Sequence, residues 1–326
     1  MFAAAAVVVA VLVLIFYANK LGWFGSVANN HISNSNSSTT DNTNTENSGN
    51  LEIPEPQRPV VELPPLETVT IPSGAVVIPV VVHVVYNTRE ENISDDQVKS
   101  QIAVLNRNFR AKNDVSRVPA PFKELVDDAH IEFVLATTDP LGKPTRGITR
   151  TKTINSSFLT TGDEVHFSAK GGADAWPGDK YLNIWVCNLD VYSGYASLPG
   201  VPKDTDGVVA NYRYFGTLGT AIEPFNRGGQ VTHDIGHYLN LLHLWGDKSD
   251  CTGTDEVNDT PQQAGPNASN PSFPHVTCNN GPNGDMFMNF MDNTDDNTRC
   301  MFTKGQVLRM HQTLQGPRKE LGMIKP

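Results

Sequence analysis

The chain has 326 residues, 39% of them hydrophobic and 18% charged, which is typical of a globular protein that also carries polar segments. Its formal net charge of -10 and its isoelectric point near 5.3 argue against a nucleic-acid-binding protein, which usually carries a basic surface stripe. Four cysteines are too few for a fold built on disulfides, and a domain of this size can bury an adequate core without them.

An apolar run occupies residues 2–17 and is followed by Lys20. It is short for a membrane span and suits the core of a signal peptide. Because no basic residue precedes the run and no clear cleavage site follows closely, an uncleaved membrane anchor is the alternative. Residues 1–24 are therefore predicted to be a signal peptide or membrane anchor. We expect the protein to be secreted or anchored to the outer face of the membrane.

Residues 25–70 are predicted to be a linker. Asn, Ser and Thr dominate residues 25–49, and so little apolar surface cannot offset the entropy lost on ordering. The prolines that follow, from Pro54 to Pro65, favour a stiffer extended spacer. The folded domain is predicted over residues 71–326.

The first elements of this domain are a strand and a helix. A continuous β-branched run at residues 76–86 predicts a strand buried on both faces. Ser94 and Gln97 have the spacing of a capping box, and apolar residues recur at helical spacing as far as Arg110. Further core strands are predicted at residues 131–136 and 182–187.

A second capping box, Thr303 with Gln306, predicts a C-terminal helix that Gly316 and Pro317 end. The order of elements indicates an α+β domain whose upper half is layered like an α/β protein. We expect a twisted mixed sheet, one long central helix and an irregular C-terminal subdomain after Asn240.

Three histidines have the spacing of a metal site. His233 and His237 are four residues apart, so on a helix they share one face and can reach the same ion. His243 would lie about 240° further round a continuous helix, so the helix must break after Leu239. Asn240 is the expected break, because Asn tolerates the left-handed conformation that ends helices. Three neutral imidazoles with an open fourth position describe a catalytic zinc site.

The alternative is three unrelated histidines on a buried helix, which the first pair alone would favour. The third histidine and the break at the required place argue against it. The other histidines have no ligand-like spacing and are assigned no role: His31, His83, His130, His166, His275 and His311.

The histidine segment resembles the zinc signature of metzincin metallopeptidases, His-Glu-x-x-His-x-x-Gly-x-x-His. Residues 243–247, 259–261, 288–292 and 301–306, and upstream residues 78–87 and 174–189, are similar to the pappalysin, or cytophagalysin, family of zinc endopeptidases. The resemblance implies a metzincin-like zincin fold and one catalytic Zn²⁺ on His233, His237 and His243. It also implies a protein or peptide substrate, which would pair with an edge strand that we place at residues 194–198.

The same resemblance assigns Met291 to the methionine turn beneath the zinc site, the alternative being an ordinary core methionine. Asn293 stands where the family has a tyrosine; its amide could donate to an oxyanion but reaches less far. Asn240 stands where the family has glycine, a mild departure.

Asp234 stands where the family has its catalytic glutamate, which takes a proton from the zinc-activated water and passes it to the leaving amine. The shorter side chain holds its carboxylate about 1.5 Å nearer the backbone. Misplacement by about 1 Å can cost about 100-fold in rate. We therefore expect a zinc metallopeptidase with reduced activity.

Two other functions stay open. The first is a catalytically inactive zinc-binding module of the same fold that recognises proteins, and the second is a structural surface protein with an accidental motif. No nucleic-acid partner is expected, and a membrane is expected only through an N-terminal anchor. The oligomeric state is not predicted.

By resemblance to the family, Cys251 and Cys278 are expected to form a disulfide. Cys300 is either free or paired with Cys187, which suits a buried thiol in its strand.

Related enzymes also bind structural Ca²⁺ in the loop at residues 251–260. Asp255, the carbonyl of Val257 and Thr260 are therefore candidate ligands, the alternative being a solvated acidic loop.

Overall fold

The computed structural model describes residue 59 and residues 61–325, so the predictions for residues 1–58 lie outside the described residues. The compact unit begins at Pro59, ahead of the predicted start at Ile71. Gln312 donates to the carbonyl of Pro64 at 2.7 Å, and Gln315 donates to that of Thr70 at 2.6 Å. The end of the predicted linker is thus bound through its backbone, a contact that composition does not reveal.

Among the described residues, seven strands form one mixed sheet. They are β1 (Ala75–Tyr86), β2 (Ile131–Leu135), β3 (Ile148–Lys152), β4 (Leu182–Cys187), β5 (Gly194–Ala196), β6 (Val208–Asn211) and β7 (Met323–Lys325). The main strand order is β2-β1-β4-β6-β5, and β5 runs antiparallel to β6 at one end. The predicted core strands are confirmed, and so is the edge strand, although it ends at Ala196.

Strand β1 organises the sheet. On one side it pairs first with β2 and then with β3; on the other side β7 pairs with residues 75–77 and β4 with residues 80–84. Pro79 falls between these last two partners. Proline has no N–H to donate, and no strand pairs with residue 79 on this side, so the central strand can contain a proline here.

The three α-helices of the described residues are α1 (Asp95–Asn108), α2 (Gly229–Tyr238) and α3 (Lys304–Gln315). Both predicted N-caps form, and Thr303 with Gln306 makes a complete capping box. The capping box predicted at α1 forms only in part, because the side chain of Ser94 caps the helix but that of Gln97 donates to the carbonyls of Tyr212 and Phe215 instead. The side chain of Gln97 is buried against that loop and so does not bond back to Ser94. None of the helices in this part of the chain is both long and apolar enough to cross a membrane.

The helices pack on one face of the sheet. Val80, Val82 and Val84 of β1 share a core with Leu105 of α1 and Ile235 of α2. Irregular segments between β3 and β4 cover the opposite face, where Val85 and Trp185 pack with buried residues of that region such as Phe158 and Val165. The result is the predicted α+β arrangement.

After Asn240 the chain runs without a strand or α-helix until α3, as predicted. This half contains the Cys251–Cys278 disulfide. Cys187 and Cys300 are both free and buried, so the alternative pairing does not form.

Candidate active site

The chain reverses direction at the end of α2. Asn240 has φ of 70°, and the N–H of Leu241 returns to the carbonyl of Gly236 at 2.9 Å. Carbonyls at a helix end need outside donors. Two arginines from the end of the chain supply them, since Arg309 Nε donates to the carbonyl of Asn240 at 2.7 Å and Arg318 Nε to that of Tyr238 at 2.8 Å.

The reversal brings the three predicted ligands together. His237 Nε2 lies 2.9 Å from His233 Nε2 and 3.1 Å from His243 Nε2, and the third distance is 3.3 Å. A tetrahedral zinc ion with Zn–N bonds of about 2.0–2.1 Å would place two ligand nitrogens about 3.3–3.4 Å apart. The spacing of the three nitrogens therefore fits one zinc ion.

The opposite ring nitrogens fix the tautomers. Each Nδ1 faces an acceptor that has no hydrogen to give: Phe290 O at 2.8 Å from His233, Leu241 O at 2.9 Å from His237 and Asp247 Oδ1 at 2.6 Å from His243. Each Nδ1 therefore carries the hydrogen, and each Nε2 presents a lone pair. Three lone pairs directed at one point repel one another unless a cation lies between them, so the donor set fits a metal.

Burial also favours the neutral form of two of these rings, those of His233 and His237. It lowers the pKa of His233 well below its usual range and that of His237 to about 3. The ring of His243 stacks on Trp245 with centroids 4.3 Å apart. Neutral imidazole is the form that binds metal.

Met291 lies against the active-site helix at Gly236, a position between the first two ligands in the sequence. A Cβ placed on Gly236 would be 2.4 Å from its sulfur, so the absence of a side chain there lets the methionine approach. The residue before it, Phe290, accepts the hydrogen bond from His233. The turn therefore supports the ligands through both packing and a hydrogen bond.

Asp234 is buried beside the ligands, where α2 meets the sheet edge. Its Oδ1 accepts from Gln230 Nε2 at 3.2 Å, and its Oδ2 has no hydrogen-bond partner among the described residues. A Cβ on Gly194 of β5 would be 2.5 Å from this Oδ2. Burial raises the pKa of Asp234 to about 7. The free oxygen thus lies against the edge strand, on the residue that follows the first histidine.

Asn293 is placed differently. Its side chain is exposed, and its N–H donates to Asp292 Oδ1 at 2.7 Å. No hydrogen bond among the described residues joins its amide to Asp234 or to the three histidines.

Sequence reasoning missed the groups that support the site. Asp247 and Gln230 were not singled out, and neither was the cap of α2. Gly228 offers that helix no capping side chain, and Asp296 Oδ2 instead accepts from the N–H of Gly229 at 3.0 Å. Arg299 pairs with the same carboxylate at 2.7 Å. The glycine at the cap position, which has no side chain to accept a hydrogen bond, is the sequence feature from which a distant cap could have been predicted.

The three candidate calcium ligands also lie together. Thr260 Oγ1 is 2.8 Å from Asp255 Oδ2 and 3.0 Å from the carbonyl of Val257. Asp255 is buried, and burial raises its pKa to about 6.

Known proteins share this arrangement of sequence and fold. The model of the peptidase family described as pregnancy-associated plasma protein-A matches residues 168–315. An extracellular metalloprotease of Verticillium alfalfae is 30% identical over 232 residues, covering 67% of this chain and 68% of the relative. Extracellular metalloprotease 1 of Coccidioides posadasii is 28% identical over 242 residues, covering 70% and 73%.

Among solved structures, Tannerella forsythia mature mirolysin in complex with a cleaved peptide is 48% identical, with a TM-score of 0.75. The match covers 78% of this chain and 100% of that chain. Three converging histidines of fixed tautomer are the ligand set that a catalytic zinc ion requires. This chain belongs to the pappalysin family of zinc metallopeptidases.

Proposed function

We propose that this protein is an exported zinc metalloendopeptidase in which Asp234 serves as general base and acid, at a lower rate than glutamate would allow. The observation that carries the proposal is a single constellation. The three Nε2 atoms lie within 3.3 Å of one another, and the residue that follows His233 is a buried aspartate with one carboxylate oxygen that has no partner among the described residues.

His233, His237 and His243 would hold the zinc ion. When bound, zinc supplies a Lewis acid that polarises a carbonyl and makes water acidic near neutral pH. Asp234 Oδ2 would accept a proton from the attacking water and return it to the leaving amine, which requires contacts of about 2.6–3.2 Å. The Gln230 amide restrains the other carboxylate oxygen at 3.2 Å and so orients the group.

The open edge of β5 is the proposed binding site for the substrate backbone. The carbonyl of Ser193 accepts from Asn211 at 2.9 Å, and the N–H of Ser197 donates to Gly207 at 3.0 Å. Since neighbouring residues in a strand point their polar groups to opposite sides, Gly194 and Ala196 turn theirs away from β6. An extended peptide can pair with these groups as an added strand, with one residue beside Asp234.

Several observations support an exported peptidase. The relatives from two fungi are named extracellular metalloproteases, and the solved mirolysin structure contains a cleaved peptide. The Cys251–Cys278 disulfide suits an oxidising compartment.

The competing function is an inactive zinc-binding module that recognises proteins. Two observations favour it: the carboxylate is one methylene shorter than the family's, and the Asn293 side chain is exposed to solvent. Both functions require zinc and differ in turnover.

Cleavage of denatured casein by the zinc-loaded chain distinguishes the two. We expect measurable, chelator-sensitive cleavage by the wild type and a rate about 10- to 100-fold higher for Asp234→Glu, because the longer side chain restores the contact distance. Asp234→Ala should be inactive. Clear cleavage by Asp234→Glu with none by the wild type would establish the inactive module instead.

Zinc content tests the ligands separately from turnover. His243→Ala should lose stoichiometric zinc, and unchanged zinc content would refute the three-ligand assignment.

We also propose a structural Ca²⁺ site formed by Asp255, the carbonyl of Val257 and Thr260. Its support is that Thr260 Oγ1 lies within 3.0 Å of both the buried Asp255 carboxylate and the carbonyl of Val257.

A further inference from the structure

A buried arginine in the turn after α3 connects the active-site helix with the sheet. Arg318 Nε donates to the carbonyl of Tyr238, the residue after His237, at 2.8 Å, and its guanidinium carbon lies 3.5 Å from the centroid of the Tyr238 ring. Its Nη1 and Nη2 form a forked pair with the Asp206 carboxylate at 2.5 and 2.8 Å. The side chains of Arg318 and Asp206 are only 6% and 13% exposed, so the ion pair is largely removed from water.

Asp206 continues this connection to the edge strand. Its Oδ1 also accepts from Ser197 Oγ at 2.7 Å. Ser197 is the first residue after β5, and two hydrogen bonds join it to Gly207. Its N–H donates to the Gly207 carbonyl at 3.0 Å, and its Oγ accepts from the Gly207 N–H at 2.8 Å. One arginine therefore connects the end of α2 to the end of β5 through a single carboxylate.

This connection is the second place at which β5 is held against α2. At the start of the strand Gly194 packs on Asp234, where a Cβ would be 2.5 Å from the carboxylate. Asp234 and Tyr238 are four residues apart, so they lie one turn apart on the same side of the helix. Gly194 begins β5 and Ser197 follows its last residue, so the two contacts have the same order along the strand and along the helix. Together they restrict both the distance of the strand from the helix and its sliding along it.

We infer that Arg318 is a positioning residue for the binding of a peptide at this edge. It holds the end of β5 in place in the free protein, so a peptide that pairs with the strand does not have to order it. Preorganised sites bind more tightly, because less conformational freedom is lost on binding. The inference rests on the proposed function in one respect, the pairing of a substrate backbone with β5.

Arginine suits this position better than lysine. The planar guanidinium forms two parallel hydrogen bonds to a carboxylate, stacks on an aromatic ring and still has Nε to donate to a carbonyl. Lysine would keep the charge but could not make these three contacts in the same geometry. Arg318→Lys therefore tests the geometry of the group separately from its charge.

Binding of the zinc-loaded full chain to immobilised denatured casein tests the inference without cleavage. All chains carry Asp234→Asn, which keeps the size of the side chain against Gly194 and removes the base. Ser197→Ala should weaken binding about three- to tenfold, the effect of one hydrogen bond, and Arg318→Lys should weaken it at least as much. In the Arg318→Lys background, Ser197→Ala should add less than about a twofold effect, because the connection is already broken.

Ser116→Ala is the matched control. It removes another serine–aspartate hydrogen bond, from Ser116 Oγ to Asp114 Oδ1 at 2.5 Å, in an exposed loop between α1 and β2, and should leave the casein affinity unchanged. Zinc content and thermal unfolding are measured for each variant, so that affinities are compared for zinc-loaded, folded protein. Should Arg318→Lys not fold, the nearly isosteric Asp206→Asn takes its place in the double-mutant comparison, because it also breaks the forked pair.

An unchanged casein affinity in Ser197→Ala, or independent effects of the Ser197 and Arg318 substitutions, would overturn the inference and leave both residues with a role in stability alone. Absence of casein binding by every chain would overturn it as well, together with the pairing at β5. Failure of the wild type to cleave casein that it still binds concerns only the proposed function, since this readout needs no turnover.

Discussion

At the scale of single residues, the contact between Asp234 and Gly194 limits how closely the active-site helix approaches the edge strand β5. Any side chain at position 194 would compete with the carboxylate for space, since a Cβ there would be 2.5 Å from Asp234 Oδ2 and 2.9 Å from the carbonyl of Val209. The absence of a side chain at position 194 therefore makes room for the carboxylate of Asp234, and no turn requires the glycine.

Gly194→Ala is predicted to lower kcat/KM by about 10- to 100-fold, because the new methyl group displaces the carboxylate by a fraction of an ångström or more. The loss of unfolding free energy should stay near the overpacking range of about 1–3 kcal/mol. Casein cleavage and thermal unfolding measure the two effects.

Gly265→Ala is the matched control, since a Cβ there has no neighbour within 4 Å. Equal activities of the two alanine variants would show that the position of Asp234 does not limit the reaction.

At the scale of elements, the end of α2 assembles the metal site. The spacing of three histidines was enough to predict the break at Asn240, because a continuous helix cannot bring the third ring to the first two. The arginines that hold the break were not predictable. Arg309 and Arg318 lie far along the chain, and each donates to a backbone carbonyl, which any sequence provides.

Asn240→Ala is predicted to weaken zinc binding about fivefold, since alanine adopts the left-handed conformation at a cost of about 1 kcal/mol. Asn240→Gly should bind zinc at least as well as the wild type. Competition with a chromogenic chelator measures both affinities. Indistinguishable affinities for the alanine and glycine variants would contradict a role for the positive φ of 70°.

The elements that could be predicted depend on local sequence, whereas the features that could not be predicted depend on tertiary contacts. Strands β1 and β4 and helices α1 and α3 follow from apolar patterns and caps that lie within the element itself. The binding of Pro64 by Gln312, the use of Gln97 to hold a distant loop and the capping of α2 by Asp296 depend on tertiary proximity. Each is a contact between a common polar residue and a residue more than 60 positions away. Such contacts cannot be predicted from the local sequence pattern.

At the scale of the whole molecule, the loop at residues 251–260, where we propose the Ca²⁺ site, connects the irregular half to the active site. Glu256 pairs with Arg309 at 2.8 Å, and Arg309 holds the carbonyl of Asn240 at 2.7 Å. Asp259 accepts from the N–H of Gly305 at the start of α3 at 2.8 Å. An ion that orders this loop would therefore stabilise the helix break and the last helix together.

Calcium at about 100 times its dissociation constant is predicted to add about 2.7 kcal/mol to the free energy of unfolding, or about 5–10 °C to the Tm of a domain of this size. Asp255→Asn should abolish this shift, because it removes the one carboxylate among the three proposed ligands. Asp250→Asn, at the exposed residue just before this loop, should keep it. Thermal unfolding in calcium and in a calcium chelator, with zinc held constant, measures the shift. A Tm that calcium leaves unchanged in the wild type would favour the solvated acidic loop, and the connection to the active site would then depend on protein contacts such as the Glu256–Arg309 pair.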